Sequence, residues 1–420
     1  MSDQYMTEIA GHELSPESLM MGYAYNPEWS EGALKSPIFQ TSTFTFRSAE
    51  EGKHYFAMAH GLIEPTEDDP MGLIYSRLNN PDLEILEHRL TLWDGAEQGL
   101  VFASGMAAIT TTALAFVEPG SVLVYTAPIY GGTDAFIHHT LPRLQVETVE
   151  WQHDMKVGDV AAEIGDRKLA GILMETPANP TNHLFSIKEA RVLADMYRSE
   201  DNPAPVMVDN TFLGPMFQHP LAHGADIVLY SATKYIGGHS DLIAGAALGS
   251  HELMAQVAEN RTILGTMATP LTGWLMMRSL ETLSLRMMRQ MENAQKVAAF
   301  LAGQEKVAKV SYLGLLTPDD EGYEIYKEQC EGPGAMISIW LDGGEEEAFR
   351  FVDSLQLAHL AVSLGSTETL VQHPASMTHA GVDPDDKARL DVTDSLVRLS
   401  VGVENADDII ADLANALASV

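Results

Sequence analysis

The sequence predicts an α/β fold: a mostly parallel sheet flanked by helices, with an extended N-terminal arm before it and a smaller α+β unit after it. Three observations predict it. Short apolar runs alternate with amphipathic segments from about residue 99; nearly every run ends in polar, ligand-capable residues; and a second mixed pattern begins near residue 300. Strand–helix alternation of this kind argues for parallel strands covered by helices.

The elements follow in order. Residues 1–80 carry scattered Pro, Gly and aromatics (Tyr23, Tyr25, Trp29, Phe39, Phe44, Phe46) without sustained periodicity, as expected of an arm that packs on another surface. The acidic stretch Glu64–Pro70 reads as an exposed loop. Strands are predicted at Leu100–Ala103, Val122–Tyr125, Val146–Val149, Gly171–Met174, Val206–Val208, Ile227–Leu229 and Ile243–Leu248. Helices are predicted at Met106–Phe116 and Lys188–Arg198, and over most of 252–302, interrupted at Gly265–Gly273. The last unit reads as strands Ala335–Leu341 and Leu396–Val401 with helices Glu345–Leu355 and Asp407–Leu417. The expected division is an arm over 1–80, a large domain over 81–285 and a C-terminal domain over 286–420. No internal repeat of 20–50 residues is visible.

Charge and cysteine content exclude several classes. Twenty-five Lys+Arg against 59 Asp+Glu leave −34, which argues against general affinity for nucleic acid or an anionic membrane. An anionic ligand must therefore be held by a local cluster of donors. The single cysteine, Cys330, allows no internal disulfide and suits a reducing cytosol. MSDQYMTEIAGHE lacks a basic segment leading an apolar one, and no apolar run reaches membrane-spanning length, so a cytoplasmic protein is expected.

The chemistry is expected beyond the strand ends, where open α/β sheets bind ligands. Those ends carry Ser104-Gly105-Met106, Tyr130 in PIYGGT, Asn179 in ETPANP, Asp209 in VMVDN and Lys234 in LYSATK. Ser-Gly-Met opens a helix directly after a strand, so its first N–H groups can cradle a phosphate, although such a start is more often only a cap. No GxxxxGK[ST] or GxGxxG competes for a nucleotide. Asp209 alone would be read as a turn aspartate. Lys234 lies between hydroxyl residues and a Gly-Gly turn, where a surface lysine has no obvious purpose. Pyridoxal phosphate needs a lysine, a carboxylate for its ring nitrogen and donors for its phosphate. Ser231 and Thr233 could add two phosphate hydroxyls. His138-His139 and His373…His379 lack a matching Cys or carboxylate set, so no metal site is expected. The Met-rich stretch Trp274–Met291 reads as core and subunit packing.

YSRLNNPD, SGMAAI, YGGT, ETPANP, VDNTF, YSATKYIGGH, SLGSTETLVQHPASMTH and VRLSVGVE together resemble the Cys/Met-metabolism, or trans-sulfuration, family of pyridoxal-phosphate enzymes, in order from about residue 36 onward. The resemblance implies the type I fold of pyridoxal-phosphate-dependent transferases. It implies Lys234 as the lysine that holds the cofactor and moves protons, Asp209 as partner of the ring nitrogen, and Asn179 as donor to the ring's phenolic oxygen. Tyr130 would stack on the ring and protonate the leaving sulfur; Gly105, Met106, Ser231 and Thr233 would hold the phosphate. Tyr75 and Arg77 would reach a neighbouring subunit's phosphate from the arm, which implies a dimer at least and a tetramer by family habit. Arg398 would clamp the substrate α-carboxylate, with Ser363 and Thr378 lining the same end.

Two positions bear on the substrate. Val362 stands where family members that handle cystathionine are typically acidic, which favours a short, uncharged sulfur substituent. Gly132 stands where many bacterial methionine γ-lyases have cysteine, which points the other way. The expected reaction is γ-elimination of methionine or a homologue to a 2-oxo acid, ammonia and a thiol. The alternative is γ-replacement, as in O-acylhomoserine sulfhydrylase or cystathionine γ-synthase. A cofactor-binding protein with a regulatory role is a third reading, disfavoured because a pure binder would not need the lysine, the aspartate and the arginine together.

Overall fold

The computed structural model describes residues 5–66 and 69–420. The larger sheet has seven strands: β1 (Gln98–Phe102), β2 (Val122–Ala127), β3 (Glu147–Gln152), β4 (Leu169–Glu175), β5 (Val206–Asp209), β6 (Ile227–Tyr230) and β7 (Gly245–Gly249). Their spatial order is β1-β7-β6-β5-β4-β2-β3, and only β7 runs against the others. The carboxyl ends of the other six therefore lie on one side of the sheet. The expected mostly parallel sheet is present.

The central strands read as unbroken apolar runs because both faces are covered, as parallel sheets require. Alternate residues point to opposite faces. Leu123, Tyr125 and Leu173 pack with the helices Gly105–Phe116 and His251–Leu264, whereas Val122, Val124 and Ile172 pack with Val157–Ile164 and Ile187–Asp195. Leu123 and Ile172 are wholly buried, and side chains of this size contribute about 1.5–3 kcal/mol each on burial. A third cluster joins the β6–β7 end of the sheet to helices Pro81–Asp94, Pro270–Leu280 and Leu283–Ala302, and through them to the C-terminal unit.

That unit holds β8 (Val307–Ser311), β9 (Met336–Leu341), β10 (His359–Leu360), β11 (Leu370–Gln372) and β12 (Leu396–Ser400), ordered β8-β9-β12-β11-β10. Arg398 sits at the middle of β12, paired with Ser338 on one side and Gln372 on the other. A residue so placed is rigid.

The structure departs from the sequence reading in four places. The arm contains a helix, Ala49–Ala59, capped by Ser48. Leu19, Met20, Ala24 and Tyr25 also bury themselves in this chain's own core, so the arm is not wholly without one. The strand expected at Ile243–Leu248 begins only at Gly245, and Ile243 is left exposed at the mouth of a cavity. β8 was not expected because it is an edge strand with little of its surface buried, which blurs its alternation. Of the loop Glu64–Pro70, Glu67 and Asp68 lie outside the described residues. Among the described residues no helix is long and apolar enough to cross a membrane.

Candidate active site

A cavity of about 470 Å³ opens beyond the carboxyl ends of the strands and is closed on its other side by the C-terminal unit. It is lined by Gly105, Met106, Tyr130, Asn179, Asp209, Ser231, Thr233, Lys234, Ser363, Thr378 and Arg398, which gathers eleven of the thirteen expected site residues around one space. Tyr75 and Arg77 do not line it. Arg77 Nη1 instead donates to the Thr262 carbonyl at 2.7 Å, and both side chains are at least partly exposed.

Lys234 follows β6 through a turn in which its own N–H donates to the Ser231 carbonyl at 3.0 Å. Its Nζ donates to Ser363 Oγ at 2.8 Å. Burial, aided by Arg398 and opposed by Asp209, pushes the amine down to about 8. A lysine so shifted is neutral far more often than a surface lysine, which suits it to covalent attachment.

Asp209 ends β5 and is buried. Its Oδ1 accepts both the Thr211 N–H at 3.0 Å and the Thr211 hydroxyl at 2.5 Å, so Oδ2 remains available to a ring nitrogen. Burial raises its carboxyl, and a cation is what would restore its charge. Thr211 Oγ1 also accepts the Ser231 N–H at 2.8 Å, which ties the two turns together.

Arg398 is buried in the cavity wall. Nη1 donates to Asn179 Oδ1 at 2.8 Å and Nη2 to the Ser363 carbonyl at 2.7 Å, while the buried Nε has no partner among the described residues. Burial lowers the guanidinium to about 10, which leaves it charged at neutral pH. Because the Asn179 oxygen faces Arg398, its amide nitrogen is the end left to donate elsewhere.

Gly105 starts the helix after β1, with Ser104 Oγ capping the Ala107 N–H at 3.0 Å. A Cβ at Gly105 would lie 2.7 Å from Ser231 Cβ and Oγ, so glycine alone lets the helix end and the Ser231 turn close on one small anion. The lysine, the half-free carboxylate, the oriented amide and this cradle fit pyridoxal phosphate. Among the described residues no His, Cys or carboxylate cluster could hold a metal. Cys330 lies away from the cavity, its thiol pushed up to about 12 by burial.

Sequence reasoning missed Glu175 and Thr211. Both stand inside motifs that were singled out, ETPANP and VDNTF, yet a carboxyl or hydroxyl beside a functional residue carries no signal of its own.

Comparison with known proteins agrees with this geometry. Residues 18–418 match the profile of the Cys/Met metabolism PLP-dependent enzyme family. The chain is 39% identical over 398 residues to an L-methionine gamma-lyase of Pseudomonas putida, covering 94% of this chain and 95% of the relative. It is 41% identical over 393 residues to an L-methionine gamma-lyase of Porphyromonas gingivalis, covering 93% and 94%. A crystal structure of cystathionine gamma synthase from Xanthomonas oryzae pv. oryzae, in complex with aminoacrylate and cysteine, superposes with a TM-score of 0.86 at 32% identity, covering 97% of this chain and 98% of that one. The chain belongs to the Cys/Met metabolism family of pyridoxal-phosphate-dependent enzymes.

Proposed function

We propose that this enzyme eliminates the γ-thiol of methionine or a homologue, consuming water and releasing a 2-oxo acid, ammonia and a thiol. The observation that carries the reading is the charge layout of the cavity. Among the described residues Arg398 is the only arginine lining it and Lys234 the only other cation, with Asp209 and Glu175 as the carboxylates, whereas Val362, Ile243 and Met377 give the wall an apolar side. One carboxylate is provided for, and an apolar sulfur substituent meets an apolar wall. The nearby methionine γ-lyases point the same way.

Pyridoxal phosphate, when bound, supplies the electron sink for charge developing at the substrate α-carbon. In this reading Gly105, Met106, Ser231 and Thr233 hold its phosphate, Asp209 keeps its ring nitrogen protonated, and the Asn179 amide donates to its phenolic oxygen. Lys234 moves protons among the α, β and γ carbons. The Tyr130 hydroxyl, which lines the cavity, would protonate the leaving sulfur. Arg398 anchors the α-carboxylate, with Ser363 and Thr378 shaping that end.

Tyr75 and Arg77 complete the site of a neighbouring subunit, so the working enzyme is a dimer at least and a tetramer in the fullest form. The exposed Met21, Trp29, Leu34 and Leu62 of the arm, residues 1–80, support its docking on another copy. The large domain is 81–285 and the C-terminal domain 286–420, and the enzyme acts in the cytoplasm.

Gly132 supports a second reading, γ-replacement on an O-acylhomoserine, as does the likeness to a cystathionine gamma synthase. A side-by-side product assay with methionine, cystathionine, and O-acetylhomoserine plus sulfide separates the two. Thiol and 2-oxo acid from methionine are expected. A new thioether or thiol amino acid formed only from O-acetylhomoserine would overturn the proposal.

A further inference from the structure

Glu175 is the last residue of β4 and is almost wholly buried, yet it touches the cavity. Its two carboxyl oxygens do different things. Oε2 accepts the Tyr130 N–H at 2.9 Å, and Oε1 accepts the Asn179 N–H at 2.6 Å. Its backbone N–H is anchored on Thr126 Oγ1 of β2 at 3.0 Å, and in the sheet it pairs directly with Asp209. Tyr130 follows β2, whereas Asn179 follows β4. These loops carry Pro128, Pro177 and Pro180, which have no N–H to offer, so few local bonds are available to fix them.

A carboxyl is an expensive group to bury here. Desolvation and the adjacent Asp209 both raise it. A glutamine would avoid that cost but has only one acceptor oxygen for two N–H groups. We propose that Glu175 is a positioning residue of the active site: its two oxygens lock the Tyr130 and Asn179 loops to one rigid strand end. Through Asn179 Oδ1, which accepts from Arg398, the same group also sets the orientation of the substrate-binding arginine. The inference rests on the roles proposed above for Tyr130, Asn179 and Arg398.

The test uses the holoenzyme with Glu175→Gln and Glu175→Asp. The first keeps the volume and loses one acceptor; the second keeps both acceptors and loses reach. Both are expected to lower kcat about 10- to 100-fold, as displacements on the order of 1 Å do. The visible circular dichroism of the bound cofactor should weaken, because ring packing sets it, while far-ultraviolet dichroism stays native. A purely structural role would lower the melting temperature and leave the cofactor signal of the folded fraction intact. If neither variant folds, amide exchange on the native holoenzyme decides. Tyr130 and Asn179 N–H should then rank among the most protected loop amides, and rapid exchange at both would overturn the proposal. So would a folded Glu175→Gln enzyme with kcat within about twofold of the parent and an unchanged cofactor signal. Tyr130→Phe separates the two levels. If it retains full activity the hydroxyl's role fails, and the Glu175 bonds, which go to backbone, are still tested by exchange.

Discussion

Ser363 joins the two cations of the cavity: its hydroxyl accepts from Lys234 Nζ at 2.8 Å and its carbonyl accepts from Arg398 Nη2 at 2.7 Å. It does so at φ 90, a conformation that residues other than glycine seldom adopt. Strain at a site residue persists where the surroundings over-determine it. Here that surrounding is the pair of bonds.

The lowered Lys234 amine makes cofactor uptake pH-dependent. Its ordinary value of 10.5 falls to about 8, so between those values the folded chain holds a neutral amine where a free lysine would be charged. Attachment needs the neutral form. Stopped-flow mixing of apoenzyme with pyridoxal phosphate should show a rate that rises about tenfold per unit toward pH 8 and then levels. A rise that continues toward pH 10 would mean an unshifted lysine. Lys234→Ala should abolish turnover and the yellow colour of covalently held cofactor.

Removal of Arg398 tests substrate anchoring. Losing one partner of a desolvated charge pair costs about 2–5 kcal/mol. Arg398→Ala should therefore lower kcat/KM by roughly 30- to several-thousand-fold. Arg398→Lys should recover only part of the loss, since an ammonium cannot reach Asn179, Ser363 and a carboxylate together. Cofactor absorbance should persist in both. Near-normal kinetics in Arg398→Ala would place the carboxylate elsewhere.

Mixing two inactive variants tests the shared site. Arg77→Ala and Lys234→Ala, combined under conditions of subunit exchange, should regain activity because each hybrid dimer contains one site with both native residues. Exchange demonstrated by mass labels without recovered turnover would count against the proposed reach of the arm.

Gly132→Ala probes Tyr130. A Cβ there would sit 2.7 Å from Tyr130 Cε1 and 3.0 Å from Met106 Sδ. The ring and the thioether can give way, so the fold should survive with the ring displaced. Turnover is expected to fall about tenfold, with a changed cofactor dichroism. Unchanged kinetics and dichroism would mean that the ring does not contact the cofactor.

Most of the large sheet was legible because fully covered strands have no choice but to be apolar, and Val122–Ala127 or Val206–Asp209 say so without an alignment. Lys234 was legible for a different reason: it stands after a strand, between hydroxyl residues and a Gly-Gly turn, where a surface lysine has no obvious purpose, whereas Asp209 reads as a turn aspartate until it is set beside that lysine. Arg398 was reached only through resemblance, since an arginine in the run Leu396–Ser400 looks like an exposed strand position until its sheet neighbours are known. Glu175 and Thr211 were not legible because their work is done on backbone N–H groups and on a neighbour's oxygen. Nothing in residue type or spacing distinguishes such a group from an ordinary strand end or turn.

The placement of Glu175 and Asp209 side by side at two strand ends has a thermodynamic consequence. Both carboxyls are raised by burial, so each is uncharged more readily in the folded chain than in the unfolded one. Above the ordinary carboxylate range the unfolded chain ionises freely while the folded chain resists, so the contribution of these two groups to apoenzyme stability is greater in mild acid than near neutrality. A protonated ring nitrogen placed against Asp209 removes part of that penalty. Ligand binding of this kind adds to folding free energy by mass action. The cofactor would then hold the polypeptide folded as well as active, and the holoenzyme should melt above the apoenzyme.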